Sequence, residues 1–186
     1  MKALLPAAAL LISTGCPESI GQQCPARTVA VGQFNLALTG MHDAGTECVQ
    51  TLADGGSQKF TQDDGGSSAG ALCYASSGPA RQLYFVAPGK GARPSDLLPD
   101  GGFHFVGHTD PTTGICNGCA VTIDESFDGF IESGAAGAPF ALQPDGGLPP
   151  VTGLSGTVVD SLASDAGGCQ CNVPCTISYS VSGSPF

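Results

Sequence analysis

Tryptophan is absent from this chain of 186 residues, and aromatic residues of any kind make up only 6% of it. Few large rings means few deep apolar anchors, so hydrophobic burial alone leaves a domain of this size short of stabilisation. Basic residues are equally scarce. Six lysines and arginines face sixteen aspartates and glutamates, a formal net charge of −10. Such a surface repels phosphate backbones and anionic lipid headgroups, which excludes nucleic acid as a partner while leaving divalent cations compatible. Long apolar runs are missing too. The longest, Ala3 to Ile12, is broken by Pro6 and is half of the ~20 residues a bilayer span requires. Downstream of it, no segment of helical length carries a 3.6-residue apolar period, and no glycine-rich phosphate loop leads into a helix.

The chain does begin with an address. Met1-Lys2 supplies one cation, Ala3 to Ile12 an apolar core, and Ser13-Thr14-Gly15 a run of small residues before Cys16. This is the layout of a secretory signal peptide. The ending Gly15-Cys16 resembles a bacterial lipobox, although Ser13 stands where the usual pattern has Leu. The resemblance covers residues 1–16 and is one to the lipoproteins of Gram-negative bacteria. It implies removal of residues 1–15, lipidation of Cys16 and a membrane partner reached through acyl chains such as palmitate. Pro17 stands where Asp would signal inner-membrane retention, so the resemblance implies the outer membrane. Cysteine parity agrees independently. The nine cysteines leave one over in an exported protein, and setting Cys16 aside leaves eight that can all pair. The expected organisation is therefore a signal peptide over 1–15, a lipidated cysteine and short tether over 16–26, and a single domain over 27–186. Loss of Lys2 with the signal takes the net charge from −10 to −11.

The domain reads as all-β. Val29 and Val31 share one face, while Phe34, Leu36 and Leu38 take the opposite parity, which predicts a bulge near Gly32-Gln33. Leu83 with Phe85, and Phe103 with Phe105, alternate with their neighbours. The last strand is the clearest, with Cys175, Ile177, Tyr179 and Val181 on one face and Thr176, Ser178, Ser180 and Ser182 on the other. Asp-Gly-Gly units at Asp54, Asp64, Asp100 and Asp145 predict turns, because Asp bonds the local backbone and Gly takes positive φ. Asp128-Gly129, between Phe127 and Phe130, predicts a hairpin. About nine or ten short strands in this punctuation predict a disulfide-stabilised antiparallel β-sandwich, with a barrel as the alternative.

Several motifs carry possible chemistry. Cys116-Asn117-Gly118-Cys119 has redox spacing, but a strand pattern follows it where a helix would be needed to activate the thiol. Structural disulfides are the default for Cys24, Cys48, Cys73, Cys116, Cys119, Cys169, Cys171 and Cys175, and the 116/119 pair is expected to bond to the 169/171/175 group. The same cysteines could alternatively form a zinc site. Asp124, Ser126, Asp128 and Glu132, with the Phe130 carbonyl, match the opening places of an EF-hand calcium loop; Ala135 replaces its bidentate Glu, so only a weak calcium site is expected, at ~10⁻⁴–10⁻³ M. The bland reading of the same segment is an acidic hairpin turn. Gly66 to Gly70 fits G-x-S-x-G without the strand–turn–helix context of a nucleophile elbow. His104 and His108, with Asp110, share one face of a strand and could hold a transition metal unless Gly107 bulges; His42-Asp43 reads as loop.

Together these residues predict a non-enzymatic cell-envelope lipoprotein with no resident cofactor and a structural, adhesive or binding role, in contact with an envelope protein or glycan. A calcium- or metal-binding envelope protein is the alternative, and a thiol–disulfide enzyme or hydrolase a further one.

Overall fold

The computed structural model describes residues 24–41, 48–59, 66–76, 81–88, 90–113, 115–134, 139–165 and 167–186. Cys16 and its signal, His42-Asp43, Asp64-Gly65 and Ala135 lie outside them. Ten strands are present: β1 (Val29–Met41), β2 (Val49–Thr51), β3 (Ser57–Lys59), β4 (Gly66–Ala75), β5 (Gln82–Val86), β6 (Arg93–Asp96), β7 (Gly102–Thr112), β8 (Val121–Ser133), β9 (Val151–Ala163) and β10 (Cys175–Pro185). There is no helix among the described residues.

Eight strands form one antiparallel sheet in the order β6-β5-β4-β1-β10-β9-β8-β7, and β2 and β3 form a separate hairpin. Leaving that hairpin aside, every hydrogen-bonded pair of strands is adjacent in sequence except β1 and β10, where the first strand meets the last. The sheet curls until its edges β6 and β7 stand side by side. There His104 N–H donates to Ser95 Oγ at 2.8 Å, a side chain taking the place of a ladder carbonyl. The architecture is a nearly closed up-and-down barrel, the alternative to two stacked sheets, and curling brings its two edge strands together.

The sheet realises the expected parities. Phe34 and Leu36 point inward, and the β1–β4 register slips between Ala30 and Gly32, where the bulge was expected. Phe85, Phe103, Phe105 and Phe127 pack as a ring cluster with centroids 4.8–6.1 Å apart. They join Leu72, Leu83, Leu154 and Val181 in the core. Three Asp-Gly-Gly turns are alike. In each the second glycine donates to the Asp Oδ1, at 2.9 Å for Asp54, 3.0 Å for Asp100 and 2.9 Å for Asp145, while the first holds φ between 82° and 86°. The third turn covers the barrel end where β1 begins: Tyr74 donates its hydroxyl proton to the Gly146 carbonyl, and Phe140 and Leu148 pack onto the core.

Asp128-Gly129 is not a hairpin. Both residues lie in the middle of β8, paired with His104 and Phe103 on one side and Thr157 and Gly156 on the other. The glycine serves close approach instead of a turn. A Cβ at Gly129 would stand 2.3 Å from the Ser155 carbonyl oxygen and 2.7 Å from the Phe103 ring. The facing Gly156 is as tight, 2.1 Å from the Asp128 carbonyl oxygen.

Four disulfides hold the ends: Cys24–Cys73, Cys48–Cys175, Cys116–Cys171 and Cys119–Cys169. The 116/119 pair does bond to the 169/171 pair. The two bridges join the β7–β8 connection to the β9–β10 connection, while Cys175, first residue of β10, is bridged to Cys48 ahead of β2.

Candidate ligand-binding site

Inward-facing positions need not all be apolar, and in the upper half of this barrel they are not. Glu125 follows Ile123 and precedes Phe127 on the inward parity of β8, and Asp160 lies between Val158 and Leu162 on the inward parity of β9. The register sets these two carboxylates directly opposite each other, with Gly107 beyond Glu125 on β7 and Ile177 beyond Asp160 on β10. Arg93 enters from the start of β6. Its guanidinium occupies the space a side chain at Gly107 would need, since a Cβ there would come within 2.7 Å of Cζ. Lys90 hangs from the β5–β6 connection.

These groups pair unequally. Arg93 binds one oxygen of Glu125, and the Lys90 ammonium binds the other at 3.2 Å. Both Glu125 oxygens are thus engaged. Arg93 is 12% and Glu125 17% exposed, so that pair is largely desolvated, whereas Lys90, 50% exposed, stands at the mouth. The carboxylate of Asp160 is left over. Its Oδ1 is buried from solvent and has no hydrogen-bond partner among the described residues.

Burial sets the electrostatics. Desolvation raises the Asp160 pKa, and the neighbouring charges of Lys90 and Arg93 only partly oppose it. Desolvation lowers Lys90, with Arg93 adding to the effect, and it also lowers Arg93. Tyr179, on the adjacent strand, is raised by burial and then by the Asp160 charge. Four titratable groups shifted chiefly by desolvation around one space mark a low-dielectric pocket. That space is a cavity of about 280 Å³, floored by Phe85 and Phe127 and walled by Leu36, Val158 and Val181. An apolar chamber with a few convergent polar groups can seat a small molecule and orient it.

The residues singled out from sequence fall elsewhere. Asp124, Ser126 and Asp128 lie on the opposite parity of β8 from Glu125, on the barrel's outer face, and Glu132 follows near the strand's end. The segment is extended strand, so the expected calcium loop does not form. Alternate residues stand ~7 Å apart along a strand, which puts Asp124 and Asp128 ~13 Å apart, and they do not curl around one point as loop ligands do. His104 and His108 also share the outer face, and Gly107 between them is not bulged; the register shift comes later, between Thr109 and Thr112. Four strand residues separate the imidazoles by ~13 Å, too far for one ion. Each instead meets the carboxylate across the ladder, His104 Nδ1 to Asp128 at 2.5 Å and His108 Nδ1 to Asp124 at 2.6 Å. The Asp124 hydrogen bond raises the His108 pKa. A trough of about 470 Å³ runs along this outer face. It is larger than the inner cavity, but its two histidines are already held, His104 by Asp128 and His108 by Asp124.

Ser68 of the G-x-S-x-G segment lies in β4, with strand continuing on both sides, so no nucleophile elbow is present. The eight described cysteines are all oxidised to disulfides, which removes their thiolates from redox or zinc chemistry in this state. Comparison with protein-family models, curated proteins and solved structures returned no match.

Proposed function

We propose that this chain is an exported, lipid-anchored, non-enzymatic binding protein of the cell envelope whose barrel holds a small molecule. The observation that carries the binding reading is the inner cavity, where an apolar floor meets one buried carboxylate oxygen with no hydrogen-bond partner among the described residues. An orphaned buried acceptor costs free energy, and a ligand that satisfies it recovers that cost on binding. The envelope reading is supported by the signal ending at Cys16 and by four disulfides, which suit an oxidising compartment. With Cys16 lipidated and Cys24 bridged to Cys73, the seven residues 17–23 form the tether and keep the barrel within ~25 Å of the bilayer.

Two measurements test this reading. Cell fractionation compares the wild type with Cys16→Ser: the wild type should incorporate labelled palmitate and sediment with membranes, and the variant should be released. Retention of the variant in the membrane, with no label on the wild type, defeats the anchor. Fragment screening by NMR tests the cavity. Hits should perturb the ring signals of Phe85 and Phe127, and a library that perturbs neither ring defeats the binding reading.

A further inference from the structure

The geometry points to a ligand class: we propose that the cavity takes a compact apolar molecule carrying a hydrogen-bond donor, whose N–H or O–H meets Asp160 Oδ1. The inference rests on the binding reading and adds to it the chemistry of the occupant.

Size comes first. A 150 Å³ apolar cavity holds a benzene-sized molecule, so about 280 Å³ accommodates roughly ten non-hydrogen atoms. The floor of Phe85 and Phe127 presents ring surfaces, which suits an aromatic or alicyclic body.

Polarity follows from what is already satisfied. Glu125 gives one oxygen to Arg93 and the other to Lys90, so each of its oxygens already has a cationic partner. Asp160 Oδ1 is the buried acceptor without a hydrogen-bond partner among the described residues. An anionic head could use the N–H groups that Arg93 and Lys90 have left, but it would meet the Asp160 and Glu125 charges across the cavity. A wholly apolar occupant would bury Asp160 further and leave it unpaired. A donor does neither. It can be neutral, as in a hydroxyl or amide, or cationic, as in an ammonium. The neutral form adds no repulsion against Lys90 and Arg93, and the cationic form gains from the acidic surface of the whole molecule.

The test uses four probes with one body: benzyl alcohol, benzylamine, toluene and benzoate. Each is titrated into the full-length Cys16→Ser chain, and the Phe85 and Phe127 ring signals are followed. At least one donor probe, the alcohol or the amine, should bind about tenfold more tightly than toluene and benzoate, the factor expected of one well-made hydrogen bond. The alcohol leading indicates a neutral natural donor, and the amine leading a cationic one. In Asp160→Val, of similar volume and without the acceptor, that preference should vanish while toluene binds at least as well. Toluene matching the best donor in the wild type, benzoate leading the series, or an unchanged preference in Asp160→Val overturns the proposed ligand class and leaves the binding reading standing. The absence of any response from all four probes overturns both.

Discussion

Asp160 is the residue whose chemistry runs against its surroundings. An ionised carboxylate in a desolvated wall, with no hydrogen bond to one oxygen, lowers stability unless something outside the chain compensates it. Its folded pKa lies above the ordinary 3.8, so the native state binds the proton more readily than the unfolded chain does. The sign follows by linkage: the penalty is fully present above the raised value and is relieved as pH falls towards 3.8. The neutral Asp160→Asn chain should therefore be more stable than the wild type at pH 7, by about 1 kcal/mol. That advantage should shrink as the pH of denaturant titrations falls towards 4. A loss of stability in Asp160→Asn at pH 7 would mean that Lys90 and Arg93 compensate the charge fully. The outer face shows the contrast. His108 has its pKa raised by the Asp124 hydrogen bond, an ordinary exposed ladder pair with both partners satisfied.

Among the elements, strands with clean alternation were legible because period-two burial is local. The faces of β1, β5, β7 and β10, the slip before Gly32 and the Asp-Gly-Gly turns all follow from residues adjacent in sequence. Asp128-Gly129 was misleading for a physical reason. Its glycine answers to a neighbouring backbone and a ring from other strands, which no local pattern displays. The candidate site was illegible for the same reason, since Lys90, Arg93, Glu125 and Asp160 meet only through barrel closure and register. A signal for two of them was nonetheless present. An acid on the apolar parity, Glu125 between Ile123 and Phe127 or Asp160 between Val158 and Leu162, is a charge aimed at a core. The acidic residues read as calcium ligands were those of the opposite, outward parity.

The connections between strands carry their own prediction. Cys116–Cys171 and Cys119–Cys169 close loops of 55 and 50 residues, but with one bridge in place the other closes only a short one. In the chain-entropy account, each removed alone as a Cys→Ser pair should cost about 2 kcal/mol, and both together about 6 kcal/mol. Denaturant unfolding of the two single variants and the combined one checks this. Strict additivity would show that the bridges act on native geometry and not on the freedom of the unfolded chain.

At the scale of the whole molecule, scarce aromatics, abundant glycine and the lack of helix among the described residues are reconciled by closure. Bringing β6 against β7 sets the two edge strands together, the disulfides restrain the connections, and the clustered rings of Phe85, Phe103, Phe105 and Phe127 concentrate the apolar mass in one layer. Above that layer the wall shortens, because β5 ends at Val86 and β6 begins only at Arg93, while β8 and β9 each run 13 residues. The cavity lies where long strands face short ones, and its charges line that gap. The central claim is that this inner space, and not the outer histidine face, is where a ligand binds. The most direct test is the carboxyl-carbon NMR signal of Asp160 during titration with the best donor probe. Saturable movement of Asp160 together with the Phe127 ring, with Asp124 and Asp128 unmoved, is the predicted result. Movement confined to Asp124, Asp128 and their histidines, with Asp160 silent, would contradict it.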